Sequence, residues 1–180
     1  MVVPKIKKEG DREVVSPVTG QGFVVPQSPV PGQALKPRAE VVLQEWKAEK
    51  VQKRLAAGES FFIFLESSKL GIGFATDLYL TDISNCKLDF KNVSWSGFDL
   101  KRVWSELGFT PDHSTVLKTD LMLTSYVLRA ADSGRVEKLA EFFLQENLDL
   151  KAIESDEEKM KVCYAAFLQL QEVVSADLKH

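Results

Sequence analysis

The chain is poor in the residues that carry redox and histidine chemistry. Its 180 residues include two cysteines and two histidines. Cys86 and Cys163 stand alone with no CxxC pair, so the sequence specifies neither a disulfide framework nor a cysteine-type zinc site. They read as small buried hydrophobes in a reducing compartment. His113 falls in an expected loop and His180 at the terminus, so a hydrolase triad has no support. Long apolar runs are missing too: none approaches the ~20 residues of a membrane span. Lys5, Lys7 and Lys8 are followed by no apolar segment, which argues against a signal peptide. A cytoplasmic protein with no membrane partner is the expectation. A basic excess is also lacking. Lys and Arg number 23 against 26 Asp and Glu, for a net charge of −3 and a pI of about 5.5. That balance argues against a dedicated nucleic-acid binder.

Proline is scarce except at one end. Six of the seven fall in the first 37 residues, among Gly10, Gly20, Gly22 and Gly32. Proline fixes φ and removes a donor, so residues 1–37 are expected to form a disordered or extended Pro-rich linker. The Pro-Gln-Ser-Pro-Val-Pro run has no basic anchor beside it to complete a common polyproline ligand.

What remains is ordinary globular material, 44% hydrophobic and 27% charged, with ~130 residues available for one core. Val41, Val42, Trp46, Val51 and Leu55 fall near helical spacing, so an amphipathic helix is expected over 38–57 with Gly58 as its stop. Phe61–Leu65 is continuously apolar, as in a strand buried on both faces. Leu70–Ala75 and Leu78–Ile83 complete a meander, with a turn at Thr76-Asp77. Further short strands are expected at Val93–Ser96 and Thr115–Lys118. Helices are expected over Phe98–Leu107, from a cap at Thr119 or Asp120 to near Ala131, and over Val136–Asn147. A last helix opens on the acids Glu154–Glu158. The pattern is that of an α/β layered domain. Gly71-Ile72-Gly73 lacks the third glycine of a nucleotide fingerprint. Lys101 and Arg102 open a helix and read as a solvated face, with contact to a phosphate as the alternative.

Four segments, in order and at the right spacing, resemble the 3′–5′ (proofreading) exonuclease domain of family A, DNA polymerase I-type, polymerases. Ser96-Gly97-Phe98-Asp99-Leu100-Lys101 resembles the second exonuclease motif. Leu117–Leu128 resembles the "Phe-Asp-Thr-Met-Leu-x-x-Tyr-Leu-Leu" helix. Gly134–Leu144 resembles the segment ending "Leu-Ala-x-x-x-Leu", and Tyr164-Ala165-Ala166 resembles the start of the third motif, "Tyr-x-x-x-Asp". The resemblance covers about 60–178 and implies a ribonuclease H-like fold, with a mixed five-stranded sheet flanked by helices, over 38–180.

In that family four carboxylates hold two divalent metals that activate water on a phosphodiester. On this alignment Leu65 and Ser67 stand at the first motif's Asp and Glu. Val103 stands at the second motif's Asp, Leu168 at the third's, and Asp99 at an Asn. Tyr164 is the retained member of the chemical set. Phe98–Arg102 also resembles the polymerase I enzymes of thermophilic bacilli, whose exonuclease domain is vestigial. The resemblance therefore implies a catalytically inactive exonuclease-like domain with no cofactor. Such a domain would act in DNA replication and repair as a brace for a polymerase module, in cis or in trans, with weak DNA contact. It would be nucleoid-associated if part of a polymerase. Two rival expectations stay open. One is an active exonuclease using Mg²⁺ on Glu66 and Asp99, with Asp77 or Asp82. The other is a stand-alone interaction module using the Pro-rich arm or the 38–57 helix.

Overall fold

The run Phe61–Leu65 sets the architecture, because its side chains alternate between two separate cores. Phe62 and Phe64 belong to one buried cluster, and Phe61, Ile63 and Leu65 to the other. In a computed structural model, which describes residues 39–129 and 134–178, this run becomes the central strand of an α/β domain. All the described residues lie within one unit, Leu35–His180. The linker expected at 1–37 lies outside the described residues.

The strands are β1 (Val42–Gln44), β2 (Phe62–Glu66), β3 (Lys69–Phe74), β4 (Asp77–Asp82), β5 (Ser94–Gly97) and β6 (Val116–Asp120). They form one mixed sheet in the order β1-β4-β3-β2-β5-β6. β3 pairs antiparallel with both β2 and β4. β5 is parallel to β2, β6 to β5, and β1 to β4. The helices are α1 (Ala48–Ala56), α2 (Leu100–Leu107), α3 (Leu121–Arg129), α4 (Val136–Leu139) and α5 (Asp156–Asp177). Val51 and Leu55 of α1 and Leu100 and Val103 of α2 cover one face of the sheet. α3, α4 and α5 cover the other. No helix among the described residues is long and apolar enough to cross a membrane.

Three expectations are corrected. The sheet has six strands rather than five, because the first half of the expected 38–57 helix is β1. Val41 and Leu43 pack inward while Val42 between them is exposed, which is the alternation of a strand. The open edge of β4 gives that segment hydrogen-bond partners that a helix would forgo, including Val42 N–H donating to the Thr76 carbonyl at 2.9 Å. The expected Val136–Asn147 helix is α4 followed by a π-helical turn, Ala140–Leu144, ended by Gln145 at φ +55°. The β3–β4 turn falls at Ala75-Thr76, one residue early.

Arg54 ties α1 to the sheet. Its guanidinium donates to Glu59 at 2.8 Å and to Asp77 at 2.9 Å, and lies 4.3 Å from the Phe74 ring centroid. Glu59 is the main cause that pushes the Arg54 pKa upward. Arg54→Ala is expected to cost about 2 kcal/mol in urea unfolding, chiefly through lost packing and stacking. Arg54→Lys should recover less than half, because an ammonium cannot span both carboxylates.

Candidate functional site

In an open sheet, ligand sites form beyond the carboxyl ends of parallel strands where the strand order divides. Here that place is the β2–β5 pair: β3 continues from β2 on one side and β5 lies on the other. The two strands approach closely because Gly97 has no side chain. A Cβ there would fall on the Ile63 carbonyl oxygen, which accepts the Phe98 N–H at 3.1 Å. The chain then turns sharply through Asp99, at φ +52°, into α2. Asp residues tolerate this left-handed conformation better than most, and the Asp99 carboxylate caps the helix by accepting the Arg102 N–H at 3.3 Å.

A cavity of about 370 Å³ opens here. Phe64 and Glu66 of β2, Phe98 and Asp99 of the turn, and Cys163 and Phe167 of α5 line it. Around its rim stand Arg102, Arg135, Glu137, Lys151 and Lys159. The floor is apolar: the Phe98 and Phe167 rings stack at 4.9 Å. Burial, with Glu66 and Glu137 nearby, pushes the Cys163 thiol up to about 12. At neutral pH the thiol therefore stays protonated and is a poor nucleophile. Arg102 donates to the Ser67 carbonyl at 3.5 Å, and Arg135 pairs with Glu137 at 3.4 Å.

The residues singled out from the sequence do not all meet here. Glu66 and Asp99 do, on neighbouring strand ends. Glu66 needs no register slip to reach the α5 face, since it follows Phe62 and Phe64 in the alternation. Leu65 contributes to the cavity lining, yet its side chain belongs with Val103 to the cluster on the α1–α2 face. Ser67 sits in the β2–β3 hairpin turn at φ +56°. Leu168 lines a different cavity together with Ser60, Phe62 and Ser96. Tyr164 points at β3, where its hydroxyl donates to the Ala75 carbonyl at 2.7 Å. Asp77 is engaged by Arg54 and Gln44, and Asp82 by Lys69 at 2.9 Å. The third-motif alignment on Tyr164 and Leu168 therefore misses the cavity, which meets α5 through Lys159, Cys163 and Phe167. These three recur every four residues, so a helical projection of the α5 sequence groups them on one stripe.

Among the described residues, no three His, Cys, Asp or Glu side chains gather as a metal-binding group. No protein-family model matches this chain, and no curated protein or solved structure matches it either.

Asp120 is a buried carboxylate at the start of α3. It ends β6 in register with Gly97, and it accepts N–H groups from Leu100 at 2.9 Å, Met122 at 3.0 Å and Leu123 at 3.3 Å. Burial raises its pKa, and these donors limit the rise. With its oxygens occupied by helix N-termini, Asp120 is a structural carboxylate.

Proposed function

We propose that this chain is a ribonuclease H-like domain related to the 3′–5′ exonuclease domain of family A polymerases, kept as a scaffold without nuclease chemistry. Setting β1 aside, the order β4-β3-β2-β5-β6 with β3 alone antiparallel is the arrangement expected of that fold, and it supports the motif resemblance. The observation that carries the functional reading is the donor set of the cavity. Two metals about 4 Å apart need a surplus of hard anionic ligands. The cavity has Glu66, Asp99 and Glu137 against Arg102, Arg135, Lys151 and Lys159. Phe64 and the neutral Cys163 supply no hard oxygen. A pair of divalent ions does not fit this charge balance. The partner implied is a polymerase module, in cis or in trans, which the domain would brace.

One observation favours the rival reading, a remodelled active exonuclease: Glu66 and Asp99 share the cavity. A single assay separates the two. With Mg²⁺ or Mn²⁺ and end-labelled single-stranded DNA, the scaffold reading expects no shortening beyond that given by a Glu66→Ala, Asp99→Ala double variant. Nucleotide release by the parent chain that the double variant abolishes would establish the active enzyme instead.

A further inference from the structure

We infer that the cavity between β2, β5 and α5 is a metal-independent site for a phosphate dianion, free or carried by a nucleotide. The inference rests on the reading above that this cavity takes no metal pair, and the two can fail separately.

Four cationic side chains converge on one cavity from four separate segments: Arg102 from α2, Arg135 before α4, Lys151 from a 3-10 turn and Lys159 from α5. Such convergence is not produced by the i, i+3 or i, i+4 spacing of a solvated helix face. The carboxylates present do not cancel it. Glu137 pairs with Arg135, and Asp99 caps the α2 N-terminus, so Glu66 is the remaining acid of a lining that also holds Arg102, Lys151 and Lys159. The existing contacts of these cations are long: Arg102 to the Ser67 carbonyl at 3.5 Å and Lys159 to Asp156 at 3.9 Å. An anion in the cavity could therefore recruit both at little loss. The floor of Phe64, Phe98 and Phe167 is buried, and a poorly polarisable floor strengthens the pull of fixed charges on a bound ion. Arginine supplies a planar fork that matches phosphate oxygens, and lysine supplies a point charge. Cations here would do the anchoring that metals do in a two-metal site, and none of them activates water.

The test is titration of the full chain, in EDTA and low salt, with inorganic phosphate, thymidine 5′-monophosphate and thymidine. Heat and the amide resonances of Phe98–Arg102 are followed. Both phosphates are expected to bind with Kd of ~1 mM or tighter, and thymidine not to bind. Equal affinity for the two phosphates assigns recognition to the anion alone, and tighter nucleotide binding adds contacts to the sugar or base; either supports the site. Lys159→Gln with Arg102→Gln should weaken binding at least about tenfold. Lys101→Gln, which lies outside the lining, should leave it unchanged, and circular dichroism should confirm that each variant is folded. Thymidine binding as well as its phosphate, binding that appears only when Mg²⁺ is added, or a double variant that binds like the parent would each overturn the inference. DNA shortening with phosphate binding in EDTA intact would sink the scaffold reading alone. No shortening together with no phosphate binding would sink this inference alone.

Discussion

Gly73→Ala is expected to destabilise the domain by about 3 kcal/mol, at the upper end of overpacking effects. A Cβ at Gly73 would fall on the ring and hydroxyl of Tyr164. That ring cannot move aside. Tyr164 is 1% exposed, stacks on Phe64 at 6.0 Å, lies 6.4 Å from Phe62 and is tethered by its hydroxyl to the Ala75 carbonyl. Gly71 does the same one turn of α5 away, beneath Phe64 and Met160. The two glycines thus open a groove along β3 into which α5 settles. Urea unfolding of Gly73→Ala, Tyr164→Leu and the double variant checks this. The Tyr164→Leu change should cost less in the Gly73→Ala background than alone, a coupling of at least about 1 kcal/mol. Strict additivity would show that the two sites do not touch. Tyr164→Phe, which removes only the bond to Ala75, should cost about 1 kcal/mol. The outcome bears on function as well. If Tyr164 is held by Gly73 and Ala75, its identity follows from packing, and its match to the third motif's tyrosine carries no chemistry.

Much of this arrangement was legible before the fold was in view, and the failures have particular causes. The apolar run Phe61–Leu65 announced a strand buried on both faces, and Gly58, at positive φ, announced a helix end. The 38–57 segment misled because Val41, Trp46 and Val51 also satisfy a helical spacing. A three-residue strand is decided by the free edge of β4, which is distant in sequence. The first motif is sensitive to the two-residue period: Leu65, one residue from Phe64 and Glu66, lies on the opposite face of the sheet from Phe64. The third motif misled because Tyr164 is one residue from Cys163, and on a helix one residue is a rotation of about 100°. Glu66 and Asp99, the acids that the rival reading pairs, line one cavity. Of the cations around them only Arg102, at a helix start, was legible. Arg102, Arg135, Lys151 and Lys159 line one cavity only through the β2–β5 parallel pairing and the packing of α5, and nothing local marks Arg135 or Lys151.

Asp120→Ala is expected to cost about 3 kcal/mol, because it orphans N–H groups of two helices at once. Its role as the cap of α3 follows from local sequence, a carboxylate two and three residues before the Met122 and Leu123 N–H groups. Its bond to Leu100, at the start of α2, does not. That bond exists because β5 and β6 run parallel with Gly97 beside Asp120, so both strands release their helices at the same level. One carboxylate then faces both helix N-termini, whose positive ends favour it. Asp120→Asn separates the two roles. An amide has one accepting oxygen, so it can serve one helix while its NH₂ opposes the donors of the other. Its cost should fall between that of the parent and that of alanine. Hydrogen exchange of the Leu100 amide against the Met122 amide reports which helix is released. A cost below about 1 kcal/mol for alanine would mean that water replaces the carboxylate, and that the Phe98–Ile63 bond, the Asp99 cap and the burial of Leu100 suffice to hold the α2 N-terminus.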